Sequence, residues 1–143
     1  MSKYKRDVVV MVESRITRDD SDTENIMFSV PGAIEDDGTS IFIKYIEQDD
    51  DMQTENVLSF KKSDRGAVDV SRRGGVSSLM HFKAGHRHNW RYDAGFVALD
   101  FCTVTSGLVN TIEFDRGGTF CVDYSLENSG TEMQKVRFSV LVK

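Results

Sequence analysis

The sequence predicts an all-β protein, folded as a single antiparallel up-and-down β-barrel of about 8–10 strands. Glycines recur every nine to twelve residues from Gly66 to Gly130, at positions 66, 75, 85, 95, 107, 118 and 130. Apolar and polar residues alternate between them, a pattern typical of sandwiches and barrels whose strands end at regularly spaced turns. There is only one proline, so nearly every strand keeps its amide donors.

The length of the chain favours one domain. We expect residues 1–143 to form a single barrel, because 143 residues are enough to bury one sizeable core. A sheet of this many strands is expected to curl and close, which removes its exposed edges. A two-sheet sandwich is the alternative architecture.

Turn residues divide the first part of the chain into strands. The acidic cluster Asp19–Asp22 predicts a turn after the first strand. Pro31-Gly32 predicts another, since proline presets φ at the first corner position and glycine takes positive φ at the second. Asp37-Gly38 is the usual pair at a hairpin corner. The predicted strands are residues 7–18, a strand that contains Ile26, Phe28 and Val30, and residues 39–47.

The remainder of the chain predicts hairpins and long amphipathic strands. Residues 57–62 and 67–72 form one predicted hairpin, and residues 76–83 and 86–92 form another that closes at Ala84-Gly85. Further strands are predicted at 96–106, 108–114 and 119–127. The last strand places one set of side chains in the core and a second set in solvent, because successive strand residues face opposite sides. Its core set is Val136, Phe138, Val140 and Val142, and its solvent set includes Lys135 and Arg137.

The charge of the protein is unevenly distributed along the chain. The net charge is −5, yet residues 61–92 carry eight Lys and Arg residues against two Asp residues. We expect these basic strands to pair with acidic neighbours in the sheet. We do not expect a nucleic-acid partner, since such domains are commonly basic overall and this chain has a pI near 5.2.

Apolar runs in the chain are short. None approaches the roughly 18–20 residues that a membrane-spanning helix needs, so no membrane association is expected. The run Val8–Val12 is also too short for the core of a signal peptide. These observations predict a cytoplasmic protein.

Four short motifs, taken in order, resemble those of a known family. They are Ile43-Lys44-Tyr45-Ile46-Glu47, Arg72-Arg73-Gly74, Phe82-Lys83-Ala84-Gly85 and the segment from Tyr92 to Thr105. Their order resembles that of the YwiB-like bacterial proteins, a domain of unknown function with a calycin-like (lipocalin-like) β-barrel. The resemblance implies this fold and a bacterial cytoplasmic setting, and it implies no activity.

Three histidines form the most distinctive candidate for chemistry. A two-residue turn at Ala84-Gly85 would place His81 opposite His88, and directly opposed residues have Cβ atoms about 4.5–5.5 Å apart. With His86, these imidazoles could be presented to one Zn²⁺. A zinc-dependent enzyme is therefore one alternative, although we expect no cofactor or metal. Motifs for serine hydrolysis, phosphate cradling and dinucleotide binding are absent from the sequence.

The same face suggests a binding site for a small molecule. Trp90 and Tyr92 supply aromatic surface, while Arg72, His81 and His88 are polar groups placed near a barrel mouth. Small barrels can hold one ligand, and such sites combine apolar walls with a few polar groups. The sequence thus predicts non-catalytic binding of a small apolar or amphipathic molecule with an anionic end. The alternatives are that these aromatic residues only fill the core, or that the barrel has a purely structural or protein-interaction role.

Overall fold

Ten antiparallel strands account for most of the structure. A computed structural model describes residues 4–18, 22–75, 77–93 and 95–143, and it contains no helix within these ranges. Most of the predicted turn at Asp19–Asp22 therefore lies outside the described residues, as does Val76. The strands are β1 (Tyr4–Arg18), β2 (Asp22–Asp36), β3 (Ser40–Asp49), β4 (Met52–Lys61), β5 (Asp64–Gly74), β6 (Ser78–Lys83), β7 (Arg87–Asp93), β8 (Ala98–Asn110), β9 (Gly118–Asn128) and β10 (Thr131–Val142).

The strands form one sheet that is nearly closed into a barrel, which confirms the predicted fold class. The order of neighbours is β6-β5-β4-β3-β2-β1-β10-β9-β8-β7. Strands β1 and β10 pair over eight residues, from Val10↔Val142 to Thr17↔Lys135. The sheet is therefore continuous where the chain's first and last strands meet, and its two edges are the consecutive strands β6 and β7.

The boundary between β6 and β7, which we call the seam, has backbone hydrogen bonds only at its ends among the described residues, while His88 Nε2 lies 3.4 Å from the Leu79 carbonyl oxygen between them. Ser77 and Asp93 exchange two backbone hydrogen bonds of 2.8 and 3.1 Å at one end. At the other end the His86 amide donates to the Lys83 carbonyl across the predicted Ala84-Gly85 turn. The turn is present, but the described residues between it and Ser77 form no ladder with β7.

Alternation along the strands builds the core. Val8, Val10 and Val12 on β1 are buried while Val9 and Met11 are exposed. On β10, Val136, Val140 and Val142 are buried, Phe138 is half-buried against the core, and the predicted solvent residues are exposed. The register is fixed by these faces, since a slip of one residue would expose every apolar side chain.

One end of the barrel, the base, is closed by the segment between β8 and β9. Ile112 is fully buried in this segment. The Arg6 guanidinium lies over the Phe114 ring and its Nε donates to the Phe114 carbonyl, at 2.6 Å. Arg65 donates to the carbonyl of Ile112. Two arginines from distant strands thus hold this cover in place, and the opposite end, the mouth, is where β1, β3, β5 and β9 end.

Strand β2 differs from the sequence prediction. Pro31-Gly32 was predicted as a turn, but β2 continues straight through both residues to Asp36 and pairs with β1 over its whole length. Pairing with β3 covers only Gly32–Asp36. Pro31 has no amide hydrogen to donate to a ladder. Proline therefore marks the position where β2 and β3 part, rather than a corner.

Two smaller findings complete the fold. The predicted strand 108–114 is in part the end of β8, which reaches Asn110 after a register shift between Thr105 and Gly107. No helix among the described residues has the length and apolar character needed to cross a membrane.

Candidate functional site

An apolar cavity of about 280 Å³ opens at the mouth of the barrel. It is roughly twice the ~150 Å³ of an engineered cavity that binds benzene. Strands β1 to β6, β9 and β10 contribute its wall. The apolar side chains that line it include Phe28, Val70, Met80, Phe82, Val136 and Phe138. Such a space suits a small molecule better than a long acyl chain.

A row of polar side chains crosses one wall of this cavity. Tyr45 on β3 lies directly opposite Asn56 on β4, and Asn56 lies opposite Arg72 on β5. Glu47 follows Tyr45 by two residues and shares its face of the strand. We call Glu47, Asn56 and Arg72 the polar cluster. The register of three neighbouring strands therefore brings together residues that are far apart in the sequence.

Asn56 connects the two charged members of the polar cluster. Its side chain is almost fully buried. Its oxygen accepts from Arg72 Nε at 3.2 Å, and its Nδ2 donates to Glu47 Oε1 at 3.0 Å. Arg72 Nη2 lies 3.5 Å from the same Glu47 oxygen. Each charge is thus held in a fixed position beside the other.

Two tyrosines complete the polar part of the cavity. Burial raises the pKa of Tyr124 to about 12, and the nearby Arg72 cation offsets part of that rise. Burial also raises the pKa of Tyr45 well above its usual value, and the Glu47 carboxylate adds to the effect. Both phenols therefore remain protonated at neutral pH and can donate hydrogen bonds.

Strands β2 and β3 part beside the cavity. Beyond the Gly32↔Tyr45 pair, β2 residues 22–31 and β3 residues 46–49 are not paired with each other. Ile26 and Phe28 from β2 and Tyr45 and Glu47 from β3 line the cavity on the two sides of this unpaired stretch. We call this unpaired stretch the fork, and the Phe28 and Tyr45 rings contact each other across it, with centroids 6.3 Å apart.

Of the residues predicted from the sequence to bind a ligand, Arg72 lines the cavity. His81 and His88 lie together at the seam, with ring centroids 5.9 Å apart in an edge-to-face arrangement. His81 Nδ1 is 2.6 Å from an oxygen of Asp69. The close approach of His81 and His88 was anticipated, but neither is among the residues that line the cavity.

Trp90 and Tyr92 form a separate aromatic cluster. Both rings contact Phe101 on β8, at centroid distances of 5.3 and 6.3 Å. Trp90 Nε1 donates to the buried Thr103 hydroxyl at 2.7 Å. Trp90 also borders a wide groove of about 820 Å³ beside β7, β8 and β9, whose arginines Arg87 and Arg91 are paired with Glu127 and Asp100. Arg72 and the Trp90–Tyr92 pair therefore do not form one site.

The histidines do not assemble into a metal centre. Across the described ranges, no group of three or more His, Cys, Asp and Glu side chains is arranged to hold a metal ion. The zinc-dependent alternative, which needs His81, His86 and His88 together, has no geometric support.

Within the described residues, four of the eight Lys and Arg residues in residues 61–92 pair with carboxylates, so the expected pairing with acidic neighbours is found for half of them. Besides the groove arginines, Lys62 binds Asp36 at 2.6 Å and Arg72 lies beside Glu47. These pairs reduce the local positive field available for a nucleic acid.

Sequence reasoning missed Asn56, Glu47 and Tyr45 as site residues. Tyr45 and Glu47 belong to the motif Ile43-Lys44-Tyr45-Ile46-Glu47, and Arg72 to the motif Arg72-Arg73-Gly74, on which the family resemblance was based. The structure brings these motifs together at one wall of the cavity. The signal that could have identified them is the shared face of Tyr45 and Glu47, but nothing local indicated that Asn56 lies between them and Arg72.

Comparison with known proteins identifies a family and a fold. The sequence model of a family described as "Domain of unknown function (DUF1934)" matches residues 10–140. A solved structure, described as the crystal structure of ywiB protein from Bacillus subtilis, superposes with a TM-score of 0.75 and 18% sequence identity, covering 97% of this chain and 93% of the other. No curated protein matches the sequence.

Proposed function

The chain belongs to the DUF1934 family, a domain of unknown function, and on that premise we propose that it is a non-catalytic protein that binds a small amphipathic molecule in the mouth cavity. The observation that carries this proposal is the combination of an apolar wall with one fixed polar cluster. Ligand pockets are commonly apolar with a few placed polar groups.

The chemistry of the lining supports binding without catalysis. Among the described residues that line the cavity there is no His, Cys or Lys, and Glu47 is the only carboxylate. Nucleophilic and general acid–base catalysis need a nucleophile or proton carrier with a partner within hydrogen-bond reach. Ser14 supplies the aliphatic hydroxyl of the lining, and within the described residues no side-chain hydrogen bond joins it to Glu47 or to another base.

Methionine methyl NMR tests the proposal with an internal control. Met80 lines the cavity, whereas Met11, Met27, Met52 and Met133 are exposed elsewhere. Titration with benzene as the probe should shift the ¹³C-methyl resonance of Met80 saturably and leave those of the exposed methionines in place. Ligand binding should also raise the melting temperature with benzene concentration, because only the native state binds.

A pair of variants, one that fills the cavity and one that makes the same change outside it, tests whether benzene binds in the cavity. Val70→Phe places a ring in the cavity and should abolish the Met80 response while the protein stays folded. Val57→Phe makes the same change on β4, at a half-buried position that does not line the cavity, and should leave the response intact. The proposal would be refuted if benzene did not shift the Met80 methyl resonance of the wild type, or if it still shifted that resonance in folded Val70→Phe.

A further inference from the structure

The polar cluster carries almost no net charge. Arg72 is the only cation that lines the cavity among the described residues, and its Nη2 lies 3.5 Å from Glu47 Oε1. An anionic ligand end would therefore be placed beside an existing carboxylate, and a cationic end beside an existing guanidinium. Moving a charged group out of water is costly unless it gains a free partner of opposite sign.

The cluster nevertheless keeps hydrogen-bonding capacity on both sides. Arg72 uses Nε for Asn56 and Nη2 for Glu47, which leaves Nη1 as a donor. Glu47 uses Oε1 for Asn56 and Arg72, which leaves Oε2 as an acceptor. Arg72 and Glu47 both line the cavity, so among the described residues this wall combines remaining donor capacity with remaining acceptor capacity, and the buried Asn56 is hydrogen-bonded to both side chains.

We propose that the ligand's polar end is an uncharged group that accepts and donates side by side, as in a primary carboxamide or a lactam. This inference rests on the proposed function, whose cavity it specifies further. The ligand carbonyl accepts from Arg72, and its N–H donates to Glu47. Tyr45 and Tyr124 line the same cavity, and their hydroxyl groups are further hydrogen-bonding groups for the polar end. The sequence analysis predicted a ligand with an anionic end to pair with Arg72. We propose an uncharged end instead, because Glu47 already compensates the charge of Arg72.

Three probes of similar shape separate the classes. Benzamide is neutral at pH 7, benzoate carries a negative charge and benzylammonium a positive one. Dissociation constants measured from the Met80 methyl shift should place benzamide at least about tenfold tighter than either ion. A wild-type protein that prefers benzoate or benzylammonium would overturn the inference and leave the proposed function standing.

Removing either charge of the polar cluster should change which probe binds most tightly, in opposite directions for the two charges. Glu47→Gln leaves the Arg72 cation uncompensated, so benzoate should become the tightest of the three probes. Arg72→Gln leaves the Glu47 carboxylate uncompensated, so benzylammonium should become the tightest. Glu55→Gln removes an exposed carboxylate from β4 and should leave the wild-type ranking unchanged.

The outcomes distinguish the two proposals. If benzene binds but the three polar probes bind equally well, the inference about the polar cluster is wrong. The proposal that the cavity binds a small molecule would still stand. No Met80 response to benzene or to any polar probe would refute the proposed function itself. Unchanged ranking in both folded charge variants, checked by their exposed methionine resonances, would also contradict the inference.

Discussion

At the scale of single residues, Asn56 is the central member of the site. It is 1% exposed and holds Arg72 with its oxygen and Glu47 with its nitrogen. Hydrogen bonds to charged groups contribute about 1.5–3 kcal/mol each, and more is lost when a buried partner is left unsatisfied. The arrangement of the cavity wall therefore depends on a side chain that carries no charge itself.

Replacing Asn56 should weaken the fold measurably. We expect Asn56→Ala to lower the free energy of unfolding by about 2 kcal/mol, because two partly exposed charged groups lose their hydrogen-bond partner. Urea denaturation measures this as a lower midpoint at unchanged slope. Gln53→Ala, an exposed change on the same strand, should stay within about 0.5 kcal/mol. Equal losses at the two positions would contradict the role given to Asn56.

Tyr124 should make stability depend on pH under alkaline conditions. Its pKa is raised from 10.0 to about 12 by burial, so between these values the folded protein binds more protons than the unfolded chain. The contribution of Tyr124 to the free energy of unfolding is therefore fully present below pH 10, and it is lost as the pH rises toward 12. Urea midpoints across this range should fall less steeply in Tyr124→Phe than in the wild type. Identical pH profiles would mean that the Tyr124 phenol is not buried.

At the scale of strands, the Pro31-Gly32 pair shows where local reasoning fails. The two residues match the preferences of a turn, yet β2 passes through them because β1 pairs with it along fifteen residues. A Cβ on Gly32 would lie 2.6 Å from the Lys44 carbonyl oxygen and 2.7 Å from a methyl of Val10. Glycine is present here because β3 approaches closely, a tertiary contact that no local pattern reveals.

The close approach at Gly32 predicts a costly substitution. Gly32→Ala should destabilise the protein by about 1–3 kcal/mol, because the backbone of β3 must move to admit the methyl group. Gly66→Ala is the matched control, since the nearest atom to its Cβ is 4.0 Å away. That change should be neutral or slightly stabilising. Equal denaturation midpoints for the two variants would remove the steric explanation for glycine at position 32.

At the scale of the whole molecule, the sequence predicts the barrel but not its seam. Alternation and turn spacing identified most of the strands, and the up-and-down order follows from short connections. The position of the seam depends on the pairing of β1 with β10, about 130 residues apart in sequence at Val10↔Val142. For the same reason Arg72 could be identified as a candidate, while its partners Glu47 and Asn56 required the register of neighbouring strands.

The seam should be visible in hydrogen exchange. β1 is paired on both sides, to β2 and β10, whereas β6 and β7 each lack a ladder on the side of the seam. We expect amides of β1 to exchange near the rate set by global unfolding, and amides of β6 and β7 facing the seam to exchange at least about tenfold faster. Uniform protection around the barrel would show that the seam is closed in solution.

The central claim is that the mouth cavity receives a small molecule against the polar cluster. A crystal structure with 4-iodobenzamide tests it most directly, because iodine is located by its anomalous scattering. The account predicts one iodine peak per chain among Phe28, Met80 and Phe138, with the carboxamide between Arg72 and Glu47. A crystal saturated with the compound that shows an empty cavity, or iodine only in the groove beside Trp90, would contradict it.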